Sequence, residues 1–121
     1  AANGYIAADW DHNNTFDVLD GERDLFGDGR LVILHFPGHT PGSLGALATL
    51  GRDGQFLAAS DAVPVRASLE REIVPRNTWN VEDTLKSYAE IRRLQARGAT
   101  ILFGHDDQQW QSLRKGVDGY Q

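Results

Sequence analysis

The sequence has no cysteine, so it forms no disulfide and offers no thiolate to a metal. It has no methionine either, even at position 1, and the expectation is a chain that is processed, trimmed or a piece of something longer. No apolar run approaches the length of a membrane span, and no signal-peptide pattern opens the chain. Positive charge is in the minority: 12 Lys and Arg face 17 Asp and Glu, for a net charge of −5 spread along the chain. That balance leaves no basic footprint for nucleic acid. Nucleic acid and membrane are therefore set aside as partners, and the cysteine-free composition points to the cytoplasm.

What is present suits one domain. The 121 residues, 40% of them hydrophobic, can bury a core, and residues 1–121 are read as a single unit without linker, repeat or low-complexity tract. The stretch that organises the rest runs from Phe36 to Gly45, a loop punctuated by Pro37, Gly38, Pro41 and Gly42 that carries His39. It separates two aliphatic runs that read as strands, Leu31 to Phe36 and Leu44 to Leu50. Proline fixes φ and glycine permits conformations that other residues resist, so such a loop holds a side chain rigidly at a sheet end. Two later places repeat the pattern. Asp61 follows the run Phe56 to Ser60, and His105 follows Ala99 to Phe103.

The remaining chain is read as follows. Ala1 to Asn14 suggests a short extended piece and a loop, and Phe16 to Leu19 a short strand closed by Asp20-Gly21. Asp28-Gly29 is a two-residue hairpin signal linking Asp24-Leu25-Phe26 to the strand from Leu31. Gly51 to Gly54 is a turn, and near-continuous apolar character in the neighbouring strands predicts burial on both faces. Ala62 to Trp79, with Pro64 and Pro75, reads as a long irregular connection. Asn80 caps the clearest helix and Gly98 ends it, with Val81, Leu85, Tyr88, Ile91 and Leu94 on the apolar side. A strand from Ala99 to Phe103 and a short helix from Asp107 to Lys115 follow. His35, inside an apolar strand, reads as a buried, hydrogen-bonded residue, and His12 as solvated. Trp10, Trp79 and Trp110 read as packing residues, and Arg66 and Arg76 as solvated or facing an anionic substrate.

Imidazole and carboxylate are ligands that zinc, iron and manganese accept, and a carboxylate can bridge two ions. The separations between His39, Asp61 and His105 are long, so spacing alone leaves a metal site and ordinary surface residues both open. The motifs themselves say more. Gly38-His39-Thr40-Pro41-Gly42, Ser60-Asp61-Ala62 and Phe103-Gly104-His105-Asp106, in that order with a helix between the last two, resemble the second half of a metallo-β-lactamase-superfamily hydrolase. Leu19 to Glu22 and Leu25 to Gly29 also resemble N-acyl-homoserine lactonase relatives.

The resemblance implies an α/β (α+β) architecture, the C-terminal half of an αββα sandwich, with a mixed sheet and covering helices. It implies zinc, two ions in the complete enzyme, or other divalent metals. His39 would ligate the first ion, Asp61 would bridge both and act in catalysis, and His105 would ligate the second. Asp106 would support the catalytic group. The implied reaction is hydrolysis of a lactone ring, that of N-acyl-homoserine lactones first, which is quorum quenching. The His-x-His-x-Asp-His motif of such enzymes is absent from these 121 residues, so the chain alone is expected to be inactive. Its expected partners are a missing N-terminal half, or a second copy, besides a small lactone or ester. Lactonase-like members often carry Tyr three residues after the bridging Asp; this chain has Pro64 there. Hydrolysis of another ester, a thioester or a phosphodiester stays open, as does a non-catalytic binding or assembly half.

Overall fold

The computed structural model describes residues 6–19 and 21–121. Five strands, β1 (Arg23–Asp24), β2 (Leu31–His35), β3 (Leu44–Leu50), β4 (Gly54–Ala58) and β5 (Thr100–Leu102), form one sheet in chain order. The first four are antiparallel and β5 joins β4 in parallel, which makes the sheet mixed as expected. The connection from β1 to β2 is longer than the two-residue turn that Asp28-Gly29 suggests. The Asp24 carboxylate accepts the backbone N–H groups of Phe26, Gly27 and Gly29 at 3.2, 3.0 and 2.7 Å. Those amides are thereby taken out of any ladder, so pairing with β2 goes no further than the Leu25 amide, which donates to the Leu31 carbonyl at 2.9 Å.

Among the described residues, four helices accompany the sheet: α1 (Ala7–Trp10), α2 (Arg66–Arg71), α3 (Val81–Ala96) and α4 (Asp107–Ser112). Four differences from the expected elements concern these segments. A short helix replaces the extended piece expected before Asn14, while residues 1–5 and Asp20 lie outside the described residues. Phe16 to Leu19 forms no strand; Phe16 and Val18 are 70% and 81% exposed, with no partner strand among the described residues. The connection after Ala62 contains α2, preceded by a 3₁₀ turn over Ser60–Ala62, and six residues between two prolines are too few to display a period. The last helix stops at Ser112, because Leu113 adopts an extended conformation at φ −75°, ψ 144°.

The register explains the core. Val32, Leu47, Leu57 and Ile101 are successive cross-strand partners, so they form one row on one face of the sheet. On that side Leu57 and Ile101 join Phe36, Val63, Leu69, Tyr88 and Ile91 in one cluster, with the last two supplied by α3. The Tyr88 ring is fully buried; its hydroxyl donates to the Ile73 carbonyl at 3.2 Å, and burial pushes its pKa above the ordinary value. α3 begins at Asn80, whose Oδ1 accepts from the Asp83 amide at 3.1 Å, and ends before Gly98 at φ 103°. Both caps are as expected. Its inward face is not wholly apolar, however: Thr84 and Ser87 are buried while Val81 is 57% exposed.

The opposite face of the sheet carries the row Ile33, Ala46, Ala58, Leu102 and the row Leu31, Ala48, Phe56, Thr100. Burial on both faces was expected, yet Leu31, Ile33 and Ala46 are only half-buried and Leu44 is 42% exposed. The helices cover one face. Part of the other lies under the C-terminal segment, where Tyr120 packs on Phe56 with ring centroids 4.5 Å apart. That segment is tied to the turn between β3 and β4: the Gln121 carbonyl accepts from the Arg52 and Asp53 amides, and Asp53 accepts from the Gln121 amide and from Arg114. At the β5 edge, the side chain of Gln109 plays the part of a neighbouring strand. It accepts from Phe103 N–H at 2.9 Å and donates to the Ile101 carbonyl at 2.6 Å.

Candidate functional site

The loop from Pro37 to Gly42 is held on several sides. The Ser87 hydroxyl donates to the Pro37 carbonyl at 2.7 Å, and the Trp79 and Asn80 amides donate to the Gly38 carbonyl at 2.9 and 3.0 Å. Thr40 and Ser43 close the turn through their hydroxyls, 2.9 Å apart. Gly38 lies flat against α3 at φ +143°, where an added Cβ would come within 2.6 Å of the Thr84 backbone. Only glycine fits there. Buried Thr84 and Ser87 are thus explained by the carbonyls and the close approach of this loop, a purpose that apolar periodicity does not reveal.

Asp61 is positioned by a strained step. β4 ends at Ala58, and Ser60 sits at φ +50°, an uncommon state for a non-glycine residue, before the 3₁₀ turn that carries Asp61. The chain leaving β5 packs directly over that step. Gly104 lies so close that a Cβ would meet the Ser60 carbonyl at 2.6 Å, and the His105 amide donates to the Pro64 carbonyl at 2.7 Å. Pro64, which supplies no phenol, therefore seats His105 through its backbone. Neither Ser60 nor this carbonyl stands out in the sequence.

The three expected residues come to the same end of the sheet. Nε2 of His105 is 2.8 Å from Oδ1 of Asp61, and both side chains are exposed, at 67% and 52%. His39 and Asp61 line one cavity of about 240 Å³ together with Thr40, Ser43, Leu44 and Ser60. His105 also lines a larger cleft of about 540 Å³ beside Arg66, Glu70, Asp106, Gln108 and Ser112. The hydrogen bond between Asp61 and His105 joins these two hollows. In donor chemistry, two imidazoles and a carboxylate suit zinc and similar ions. Among the described residues, no group of three or more His, Asp or Glu side chains is gathered closely enough to hold an ion by itself.

Asp106 is placed differently from a reacting group. Its Oδ1 accepts from the Gln109 amide and its Oδ2 from the Arg66 amide, each at 2.9 Å, which ties α4 to α2 beside His105. These two amides, Arg66 first, hold the carboxyl below the ordinary carboxylate range. The guanidinium of Arg66 lies over the Phe103 ring at 5.4 Å and faces the larger cleft, whereas Arg76 is simply exposed. His12 is exposed as expected. His35 is exposed rather than buried, because it ends β2 on the uncovered face, but it is hydrogen-bonded: Nε2 meets the Pro41 carbonyl at 2.8 Å. Trp79 and Trp110 are 59% and 58% exposed, so neither packs in the core as expected, and the side chain of Trp10 lies outside the described residues.

No protein-family model matches the chain. It is 32% identical over 127 residues to the N-acyl homoserine lactonase AttM of Azorhizobium caulinodans, an alignment covering 99% of this chain and 48% of that protein. It is 36% identical over 90 residues to the N-acyl homoserine lactonase AiiB of Agrobacterium fabrum, covering 69% of this chain and 31% of that one. Among solved structures it is similar, with a TM-score of 0.74 and 25% identity, to an N-acyl homoserine lactone hydrolase with the product N-hexanoyl-L-homoserine bound at its catalytic metal center. That match covers 87% of this chain and 41% of the other. The fold is accordingly that of the metallo-β-lactamase hydrolases. In sequence the chain is similar to N-acyl homoserine lactonases, the resemblance its motifs carry, and it spans about half the length of the curated relatives it matches. Among the described residues, no helix is long and apolar enough to cross a membrane.

Proposed function

We propose that the chain is the C-terminal half, one domain-sized piece, of a metal-dependent hydrolase that opens the lactone ring of N-acyl homoserine lactones. The observation that carries this reading is the hydrogen bond between His105 and Asp61 at the sheet end, with His39 on the wall of the same cavity as Asp61. His39 and His105 would each hold one of two zinc ions, and Asp61 would bridge them. When bound, such ions lower the pKa of water and polarise a carbonyl oxygen. This chain's own contribution is orientation. Ser60 and Gly104 fix the carboxylate of Asp61, the Pro64 carbonyl fixes His105, and the strapped loop fixes His39. Asp106 is a positioning residue, since both its oxygens hold backbone amides around His105.

The remaining ligands would come from an N-terminal half or from a second copy seated on the uncovered sheet face. The larger cleft beside His105 offers room for a small acyl lactone, with Arg66 at its wall. A cytoplasmic setting belongs to the proposal and rests on composition alone.

The test is to prepare the chain alone and joined to an upstream half bearing His-x-His-x-Asp-His, each with zinc, and to follow acid release from an N-acyl homoserine lactone. Turnover by the joined protein that a chelator abolishes is the expected result, with little or none from the chain alone. A joined protein that binds zinc yet leaves the lactone intact while hydrolysing a thioester or phosphodiester would overturn the substrate. One that binds no zinc would overturn the site.

A further inference from the structure

Five successive carbonyls of the His39 loop, from Pro37 to Pro41, each accept a hydrogen bond. The Pro37 carbonyl accepts from Ser87, the Gly38 carbonyl from Trp79 and Asn80, the His39 carbonyl from Trp79, and the Thr40 carbonyl from Gly38 and Ser43. The fifth in succession, that of Pro41, accepts from the side chain of His35 at 2.8 Å. Four are thus held from α3, its approach or the loop itself. The fifth alone is held from the sheet, by the last residue of β2.

From this we infer that His35 is a positioning residue for His39: it pins the far side of the loop to the sheet while α3 pins the near side. The inference rests on the reading of His39 as a metal ligand. The chemistry is specific about the ring. A carbonyl oxygen only accepts, so Nε2 of His35 is the donor in this contact. Pro41 has no N–H of its own and Gly42 beside it is exposed; among the described residues, the hydrogen bonds that tie this part of the turn to β2 and the residue after it are that of His35 and that of the Phe36 amide to the Ser43 carbonyl. Loops that ligate metals lose affinity when a supporting hydrogen bond is removed, even though the ligand itself is intact. His35 fills that role without lining the cavity of His39 and Asp61.

The experiment compares the complete protein with its His35→Leu and His35→Gln variants. Two quantities are read: amide hydrogen exchange at Trp79, Asn80 and Ser43, and zinc affinity by competition with a chromophoric chelator. His35→Leu should speed loop exchange and weaken zinc by about fivefold, whereas His35→Gln, whose amide also donates, should stay within about twofold of the parent. Exchange at Leu57, in the core, should not move in either. Unchanged loop exchange in His35→Leu overturns the inference, as does a Gln variant as impaired as the Leu variant. Equal loss of protection at Leu57 would reduce the effect to general destabilisation and overturn it as well. If His35→Leu fails to fold, His35→Asn, with a shorter reach, replaces it under the same criteria. A parent protein that binds no zinc sinks the metal reading and this inference together, whereas normal zinc binding with an unmoved loop sinks the inference alone.

Discussion

Nε2 of His105 and Oδ1 of Asp61 meet at 2.8 Å although 44 positions of chain separate the two residues. Asp61 is held by a strained turn and His105 by a backbone amide, so the pair is set by rigid neighbours on both sides. In the complete protein, Asp61→Ala should lower zinc affinity by more than the roughly 10–100-fold that loss of an outer supporting group costs. Asp106→Ala should fall inside that range, because it loosens the seat of His105 and leaves the ligand. Chelator competition on both variants checks the order. An Asp106 variant worse than the Asp61 variant would reverse the roles assigned here.

Gly38→Ala should be among the most damaging single changes. The new Cβ meets the Thr84 backbone at 2.6 Å and the φ of +143° is unfavourable for alanine. The expected loss is about 3 kcal/mol, the upper end for overpacking a tight site. Gly42→Ala is the control, since nothing lies within 4 Å of its added Cβ. It should be neutral or gain roughly 0.4–1 kcal/mol through the unfolded chain. Urea unfolding of the two variants separates the cases.

Particular residues show how far the sequence reached. The loop around His39, the helix from Asn80 to Gly98 and the strand before His105 were legible because Pro, Gly, an N-cap and aliphatic runs are local signals. The convergence of His39, Asp61 and His105 was legible only through the order of three motifs, since their spacing says nothing of distance. Thr84, Ser87 and Ser60 were not legible. Their value comes from carbonyls and a left-handed step that exist only once distant segments meet. The exposure of Trp79, and of the Leu31 to Leu34 strand on its second face, was likewise hidden, because an apolar residue in a sequence does not announce whether anything covers it.

The C-terminal segment should detach in acid. The Gln121 amide, with Arg114 beyond it, holds the Asp53 carboxyl below its ordinary value of 3.8. A carboxyl depressed in the folded state contributes stability that is present above the unfolded value and lost as pH falls through the folded one. The contact should therefore be intact at neutral pH and fail below about 3.8, not above it. The NMR shift of the Tyr120 ring, stacked on Phe56, reports the event. Asp53→Asn should remove the transition, and a Tyr120 signal that moves near neutrality would contradict the assignment.

The second face of the sheet should drive association. Leu31, Ile33, Leu44 and Leu102 present apolar surface there, and burying one such side chain is worth about 1.5–3 kcal/mol. Several together approach the whole stability of a small domain, about 5–15 kcal/mol. The isolated chain is expected to sediment above its monomer mass at low micromolar concentration, and Ile33→Glu should return it towards the monomer. A soluble monomer that melts cooperatively without that substitution would show the face to be adequately covered already.

The amide of Gln109, seated on Ile101 and Phe103, governs the form such association can take. An open strand edge is a template for further pairing and for fibre growth, whereas pairing through a face consumes the surface that drives it. At the β5 end the growing edge is occupied by a side chain, and at the other end β1 offers only two residues. With both edges blunted in this way, the uncovered face is the surface left to drive association, and small discrete oligomers rather than fibres are the outcome expected on concentrating the chain.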